Sequence, residues 1–410
     1  MTPRERILAA FEHRQPDRVP IDFSGHRSSG ITAVAYLRLR AYLGLPEVAP
    51  RVYDPIQQLA IVDEDVLERF GVDTIEVGRG CALADTWWGD WTLPDGSPCQ
   101  MPVWALPERG LGEWVMRSRG NHVMARLPDG AWFFEQAYYP FADPEAPQRV
   151  SEAMEECMWN AIATPPGPLG EGREALARLF EGGHRLRQNT DKAILGLVGA
   201  SLFEQGQFLY GNDNFFALLA GEPAKAHALL DEVVELHLQG LEKFLGEVGD
   251  CIDIVVFGDD LGMQTGPMIS PAMYREFFKL RHSVLWKRAK ELANVKVMLH
   301  SCGGIRELLP DLIEAGLDAV NPVQITAAGM GARELKAEFG KDLVFWGGGC
   351  DTQEILPRGT AAAVRQHVKE QVEILSAGGG FVFQQVHNIL PEVPPENVVA
   401  MFEAVNEGGS

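Results

Sequence analysis

Eight short apolar segments, separated by longer stretches with helical patterns, most constrain the fold of this 410-residue chain. Each segment is bounded by Gly, Asp or Asn. Most are continuous apolar runs, which is typical of strands that are buried on both faces of a parallel sheet. The segments are 19–23, 73–77, 193–198, 252–257, 296–300, 318–323, 343–346 and 381–386.

Helical patterns lie between the later apolar segments, at 270–293, 304–315, 330–339, 359–376 and 394–406. Strands that alternate with helices at this spacing indicate βαβ units. Eight such units favour a closed (β/α)8 TIM barrel over an open, doubly wound sheet. No G-x-G-x-x-G motif follows the first strand, so the pattern of a dinucleotide-binding fold is missing. We therefore predict a single α/β barrel domain that spans residues 1–410.

One region interrupts the alternation, at about 84–142. It contains a Trp-rich segment at 87–91 and two Leu-Pro-Asp-Gly turns, at 93–96 and 127–130, which predict short antiparallel hairpins. We interpret it as a β-rich insertion in a barrel loop, either a lid or dimer surface or an aromatic structural patch without substrate contact. The stretch after it, 143–190, is predicted to be mostly helical, with a loop at 164–169.

The chain is acidic, with 36 Lys and Arg against 57 Asp and Glu, which gives a net charge of −21. This charge argues against binding to nucleic acid and against docking on an anionic membrane. No stretch approaches the roughly 20 apolar residues that span a bilayer, and the first residues do not resemble a secretion signal. We expect a cytoplasmic protein, in which the six cysteines act as core residues, metal ligands or nucleophiles and do not form disulfides.

The strongest local motif is His300-Ser301-Cys302-Gly303-Gly304, at the exit of an apolar strand. An imidazole and a thiol two residues apart can both point at one ion. Cys350 follows another strand exit two βα units later, and all strand exits of a barrel meet at one rim, where active sites are built. His300, Cys302 and Cys350 thus predict a three-ligand zinc site with an open fourth position. The alternative is a packed cysteine beside a hydrogen-bonded histidine.

Other strand exits also carry polar residues, which acid–base chemistry would need in one cleft. Singly, each is explained by a loop or a helix cap, but their occurrence at nearly every exit favours a shared site. They are Asp22, His26 and Arg27; Glu204 and Gln205; Asp259 and Asp260; Asn321 and Gln324; and Gln385, His387 and Asn388. As catalytic residues we prefer, in this order, Asp260, Gln324, His387 and Glu204. Of the adjacent pair Asp259 and Asp260, we expect one in the cleft.

Motifs through nearly the whole length resemble the uroporphyrinogen decarboxylase superfamily, and specifically its zinc-dependent, corrinoid-linked methyltransferase branch. The matching segments are 4–6 with 16–20, 258–262 with 269–271, 300–304 with 321–324, 347–353, 378–381 and 394–397. The resemblance implies a (β/α)8 barrel and a homodimer. It also implies zinc ligands at His300, Cys302 and Cys350, the positions of the His-x-Cys and distant Cys of these methyltransferases.

The chain departs from true uroporphyrinogen decarboxylases at two places. Their Arg-rich segment after the first strand corresponds here to 22–27, which keeps one arginine, Arg27. Their aspartate after the next strand is replaced by Val77-Gly78-Arg79. A substrate with eight carboxylates would also be repelled by a chain of this charge unless a basic pocket compensated. The sequence therefore disfavours the decarboxylase activity.

The expected function is methyl transfer between a small methylated substrate, such as a methoxylated aromatic, and the cobalt of a corrinoid carried by a partner protein. The partner is expected at the C-terminal rim of the barrel, and we favour the demethylating direction. Two alternatives stay open. One is a methyltransferase that moves methyl from methylcobalamin or a folate to a thiol, and the other is a catalytically silent barrel whose metal site is structural.

Overall fold

The computed structural model describes residues 1–81, 84–142, 149–161 and 172–407, so the predicted loop at 164–169 lies outside the described residues. Seven parallel strands form one sheet, in the order β7-β6-β5-β4-β3-β2-β1. They are β1 (Thr74–Glu76), β2 (Ala193–Gly199), β3 (Ile254–Gly258), β4 (Lys296–His300), β5 (Ala319–Asn321), β6 (Val344–Trp346) and β7 (Phe381–Val382). Each lies within a segment that the apolar pattern predicts, apart from single residues at strand ends.

The eighth position of the barrel is a single residue, Ile21, between the two edges of this sheet. Ile21 forms a parallel bridge with Phe383, just after β7. Its carbonyl accepts a hydrogen bond of 2.8 Å from the amide of Asp73, just before β1. Pro20 has no N–H to donate, and Ser24 has a φ of +62°, so regular pairing cannot extend on either side. The sheet closes all the same, and the predicted (β/α)8 barrel is confirmed.

The helices surround the sheet in chain order. They are α1 (Pro3–Phe11), α2 (Ala33–Tyr42), α3 (Glu64–Phe70), α4 (Val150–Glu155), α5 (Met158–Ala161), α6 (Gly172–Asn189), α7 (Phe203–Tyr210), α8 (Asn212–Gly221), α9 (Pro223–Val248), α10 (Pro271–Met273), α11 (Lys279–Leu292), α12 (Leu309–Ala315), α13 (Ala332–Phe339), α14 (Ile355–Arg358), α15 (Ala361–Ser376) and α16 (Pro395–Glu407). A π-helical turn, Tyr274–Phe278, joins α10 to α11. No helix in the described ranges is both long and apolar enough to cross a membrane.

Residues 84–142 form antiparallel strands outside the barrel sheet. Trp88–Thr92 pairs with Pro98–Pro102 across the first Leu-Pro-Asp-Gly turn. A four-stranded sheet follows, made of Glu108–Arg109, Glu113–Arg117, Val123–Pro128 and Glu135–Gln136. Two further two-stranded sheets lie elsewhere, Val52–Asp54 with Leu59–Ala60 and Gly262–Met263 with Gly266–Pro267.

The apolar core has two layers. The larger packs between the strands and the outer helices, as the apolar faces of a barrel require. The smaller fills the barrel interior with side chains from successive strands, among them Leu195, Val256 and Trp346. Ile7, Ala10 and Phe11 of α1 belong to this interior layer, so the first helix plugs the end of the barrel where the strands begin.

Below this plug, the carboxylate of Asp73 fixes the seam where the sheet closes. It accepts from Arg6 at 2.6 Å, from Arg18 at 2.7 Å and from the backbone amide of Ile21 at 2.8 Å. Asp73 is fully buried. Two cations and one amide are therefore satisfied by one buried carboxylate, which is the condition under which a buried ion pair is tolerated.

We expect Asp73→Asn to lower the free energy of unfolding by about 3–5 kcal/mol, because it leaves two guanidinium groups without their shared anion. The measurement is urea denaturation of the full chain. The matched control is Asp17→Asn, which removes the other carboxylate bound to Arg6 but is 45% exposed, so it should cost less than about 1 kcal/mol. Equal losses in the two variants would contradict the role of Asp73.

Candidate active site

Three side chains with metal-binding atoms meet at the C-terminal rim of the barrel. His300 ends β4, Cys302 follows it in the next loop, and His387 lies after β7. One nitrogen of each imidazole and the sulfur of Cys302 lie within 4.8 Å of one another. The distance from the Cys302 Sγ to the His300 Nε2 is 3.5 Å. All three side chains are partly accessible, so the cluster faces open space at the rim.

The amide of Asn321 determines which nitrogen of His300 carries a proton. Its Nδ2 donates to the carbonyl of Trp346 at 3.0 Å and to the Oε1 of Gln384 at 2.8 Å. Its Oδ1 is therefore the atom 2.7 Å from the His300 Nδ1, and it can only accept. The Nδ1 carries the proton, and the neutral ring presents the lone pair of its Nε2 to Cys302. This is the tautomer and orientation that a metal-ligating histidine requires.

The loop that carries Cys302 is held by two of the residues predicted to be catalytic. The Oδ1 of Asp260 accepts from the Cys302 amide at 2.7 Å, and the Oε1 of Gln324 accepts from the Gly303 amide at 2.8 Å. Gly303 has a φ of +85°, and a Cβ there would lie 2.3 Å from the backbone of Gly262, so only glycine fits. The turn places Cys302 beside His300. The Nε2 of Gln324 donates to the Oε1 of Gln264 at 2.7 Å.

Cys350, the third predicted zinc ligand, lies close to this cluster in the fold but is not part of it in the described structure. It is fully buried and bridges Gln385, two residues before His387. Its thiol points at the carbonyl of Asp351, 3.7 Å away. The third member of the cluster in this structure is His387, and Cys350 as a ligand stays a prediction.

A cavity of about 390 Å³ opens beside the cluster. Its polar lining includes His300, His387, Asp260 and Glu204. Its apolar lining includes Trp159, Met154, Leu197, Phe208 and Val256. A cavity lined by apolar side chains and a few convergent polar groups is typical of a small-molecule site. The predicted catalytic residues Asp260, His387 and Glu204 thus share one cavity, whereas Gln324 is not among its lining residues.

Burial favours the neutral forms of four ionisable groups at the site, which are those of His300, His387, Cys302 and Glu204. It lowers the pKa of His300 and lowers that of His387 to about 3, with His300 as a further cause in the second case. It also raises the pKa of the Cys302 thiol well above its usual value, with the charge of Asp260 adding to the effect. Burial, followed by the charges of Asp260 and Asp259, raises the pKa of Glu204 in the same way. Both imidazoles are therefore favoured in the neutral form, which offers a lone pair, and the protonated form of Glu204 is favoured as well.

Asp259 does not line the cavity, and its carboxylate instead holds the start of the helix α7, which carries Glu204. Its carboxylate accepts from the amides of Phe203 and Glu204, at 3.1 and 2.9 Å, at the first turn of α7. It also lies 3.0 Å from the Nε2 of His282, whose Nδ1 is 3.0 Å from the hydroxyl of Tyr274 in the π-helical turn. This buried chain fixes the helix that carries Glu204, because a carboxylate at a helix N-terminus satisfies amides that have no other partner.

Two features of the site were not predicted from the sequence. Ser28 places its Oγ 3.3 Å from the His300 Nε2. Trp159 and Met154 reach the cavity from the helices α5 and α4 that follow the insertion. No strand-exit motif marks these residues, since they come from loops and helices rather than from the barrel strands. For Ser28, the available sequence signal was its position directly after His26 and Arg27, which were predicted to lie at the site.

Comparisons with known proteins agree with this architecture. The family model described as uroporphyrinogen decarboxylase (URO-D) matches residues 159–408. The uroporphyrinogen decarboxylase of Legionella pneumophila strain Philadelphia 1 is 26% identical over 275 residues, which is 65% of this chain and 72% of that protein. The enzyme of the same name from a strain of Thermus thermophilus is 26% identical over 244 residues, 57% of this chain and 65% of its own.

A solved structure, a methyltransferase from Methanosarcina mazei, has the same fold. It superimposes with a TM-score of 0.60, at 18% identity, over 99% of each chain. The family match covers more than half of this chain and includes the loop with His300 and Cys302. This protein belongs to the uroporphyrinogen decarboxylase family.

Proposed function

We propose that this protein is a zinc-dependent methyltransferase, which moves a methyl group from a small methoxylated aromatic compound to the cobalt of a corrinoid on a partner protein. The observation that carries the proposal is the cluster of His300, Cys302 and His387, two of whose members, His300 and His387, line the cavity. The C-terminal rim, where the cavity opens, is the face at which the corrinoid protein would dock.

The donor set fits zinc. Zinc prefers imidazole nitrogen and thiolate sulfur, and its catalytic sites have three protein ligands and one open position. His300 and Cys302 would hold the ion together with Cys350 or His387. When bound, zinc in such a site supplies a Lewis acid that polarises the ether oxygen of the substrate. The hydrogen bond from His300 to Asn321 then orients the ligand ring, as such outer contacts do in metal sites generally.

The cavity favours a small aromatic donor. Its volume of about 390 Å³ lies near the lower end of the range for small-molecule pockets. The side chains of Trp159 and Phe208 line the cavity, and an aromatic ring packs well against such groups. The methoxy group would then point towards Glu204, His300 and His387, which line the same cavity.

Glu204 can supply the proton that the reaction consumes. When the methyl group leaves with its bond broken, the substrate oxygen keeps the electron pair and needs a proton. Glu204 lines the cavity together with Asp260, and burial and its acidic neighbours raise its pKa, which favours the protonated form. We assign to it the role of general acid.

The same lining argues against a porphyrinogen substrate. Arg27 is the one arginine among the described residues that line the cavity, and its Nε lies 3.5 Å from the carboxylate of Asp54. Asp260 adds a negative charge. Asp22, at the place of the decarboxylase arginine segment, is fully buried and accepts from Thr74 and Trp346. A ligand with eight carboxylates would meet little positive charge here.

The proposal predicts that the purified, zinc-loaded protein forms methylcobalamin from cob(I)alamin and a methoxylated aromatic compound. The measurement is the visible spectrum of the corrinoid, with a panel of methoxyarenes, methylamines and methyl thiols as donors. Release of carbon dioxide from uroporphyrinogen, or methylation of a thiol from methylcobalamin without any reaction of methoxyarenes, would contradict the proposed donor. Failure with every donor would contradict the corrinoid reaction.

Zinc content tests the ligand set separately. We expect about one zinc per chain at the rim site, lost in His300→Ala and in Cys302→Ala, because these two residues belong to either possible triad. Cys350→Ala and His387→Ala identify the third ligand, since only the variant that removes it should lose the ion. Cys99→Ala is the matched control, as Cys99 is a buried thiol of the insertion. A zinc content in Cys302→Ala equal to that of the parent protein would refute the site.

Glu204→Gln should reduce the rate of demethylation by about 10²–10⁴-fold, since it removes the proton donor but keeps the shape. In the parent enzyme the rate should fall as the pH rises through the raised pKa of Glu204, and the variant should lack this limb. The measurement is the pH profile of the single-turnover rate.

The same substitution should stabilise the fold at pH 8. A carboxyl whose pKa is raised by folding destabilises the folded state at every pH above its unfolded value of about 4.3. Glu76→Gln is the matched control, because burial also raises the pKa of Glu76, to about 7, and Glu76 does not line the cavity. Both variants should gain stability, whereas only Glu204→Gln should lose activity. Equal activity losses would contradict the assignment.

A further inference from the structure

A second cluster of metal-binding side chains lies at the opposite end of the barrel. It consists of His184 near the end of α6 and of Asp250 and Cys251 in the turn between α9 and β3. Both α6 and this turn lead into the beginnings of strands, so the cluster lies on the face where the strands start. The candidate active site lies where they end, and the two sites are therefore separate.

The distances within this second cluster fit a tetrahedral ion. The His184 Nε2 is 3.3 Å from the Oδ2 of Asp250, and the Cys251 Sγ is 3.3 Å from its Oδ1. All three ligand atoms lie within 4.8 Å of one another. The two contacts of 3.3 Å are to different oxygens of Asp250, and one oxygen would serve as the ligand. Zinc bonds of about 2.0–2.3 Å in tetrahedral geometry place ligand atoms about 3.4–3.6 Å apart, so the three side chains lie near the spacing of such a site.

The tautomer of His184 points its free nitrogen at the cluster. The Nδ1 lies 2.9 Å from the carbonyl of Phe180, which only accepts, so the Nδ1 carries the proton. In the neutral ring the lone pair of the Nε2 then faces the carboxylate of Asp250. Two electron-rich groups at 3.3 Å repel each other unless a proton or a metal ion lies between them. The contact of the Nδ1 with an oxygen acceptor orients the ring of His184, as it orients the ring of His300 at the rim.

The backbone of Cys251 is held in place independently of any ion. Arg187, one turn after His184 on α6, donates from its Nε and Nη2 to the Cys251 carbonyl, at 2.9 and 2.7 Å. Arg187 also pairs with Asp253 at 2.5 Å, and Asp253 pairs with Arg4 at 2.7 Å. The position of the turn relative to α6 is thus fixed without an ion. A preorganised donor set costs less to occupy, since less freedom is lost on binding.

We propose that His184, Asp250 and Cys251 form a second metal site, which takes a zinc-like divalent ion and fastens α6 to the base of the barrel. A nitrogen, an oxygen and a sulfur ligand suit zinc, whereas magnesium and calcium prefer oxygen ligands alone. Asp250 is 76% exposed and His184 is 30% exposed, so the ion has an open path from solvent and a place for a water ligand.

The test uses the full chain in a His300→Ala/Cys302→Ser background, where the rim cluster is removed. After chelation, zinc is titrated in competition with a chromophoric chelator, and we expect one equivalent to bind. Asp250→Ala and Cys251→Ser should each weaken this binding by more than about tenfold, the effect seen even for residues that only support a ligand. Asp250→Ala changes an exposed side chain and should leave the fold intact.

Cobalt(II) gives a second readout, because a thiolate ligand produces a charge-transfer absorption. This absorption should occur in the background variant and disappear when Cys251→Ser is added. His227→Ala is the matched control, as His227 is a helical imidazole of similar exposure that faces one carboxylate, that of Glu276 at 3.9 Å. The proposal is overturned if the background variant binds no stoichiometric zinc, or if the absorption persists after Cys251→Ser.

Discussion

The side-chain amide of Asn321 is the constraint on which the candidate active site depends. It joins three strands at the rim, since it contacts His300 at the end of β4, the carbonyl of Trp346 in β6 and Gln384 after β7. An amide can satisfy all three partners in only one orientation, and that orientation fixes the tautomer of His300. Buried networks of this kind specify a single arrangement because an unpaired polar group there is costly. The geometry of His300 at the rim thus follows from the pairing of the strands β4 to β7.

The two ends of the barrel divide the work between stability and chemistry. At the base, the carboxylate of Asp73 accepts hydrogen bonds from Arg6, Arg18 and the Ile21 amide, and α1 fills that end of the barrel interior. At the rim, polar groups are partly accessible and line a cavity, whereas the polar groups at the base pair with one another where the sheet closes. This division is general for (β/α)8 enzymes, whose loops after the strands carry function.

The sequence predicted the barrel because apolar runs of strand length report burial on both faces. The sequence also predicted that His300 and Cys302 lie together, because they are only two residues apart, at a strand exit and in the turn that follows it. The partners of Asn321 could not be predicted, because they lie 21 to 63 residues away and meet only when the strands pair. His184 and Cys251, which are 67 positions apart, are likewise adjacent only in space. No sequence pattern indicated that His387 would lie beside His300 and Cys302, because it follows the last strand of the sheet.

The chain from Tyr274 through His282 and Asp259 to the start of α7 has a consequence for how such a protein diversifies. Its outer end lies in a π-helical turn on the surface layer of helices, and its inner end sets the position of Glu204. A substitution in that outer turn would therefore shift an acid in the cavity without altering any residue of the cavity wall. The geometry of the cavity therefore depends on the packing of an outer helix as well as on the residues of the cavity wall.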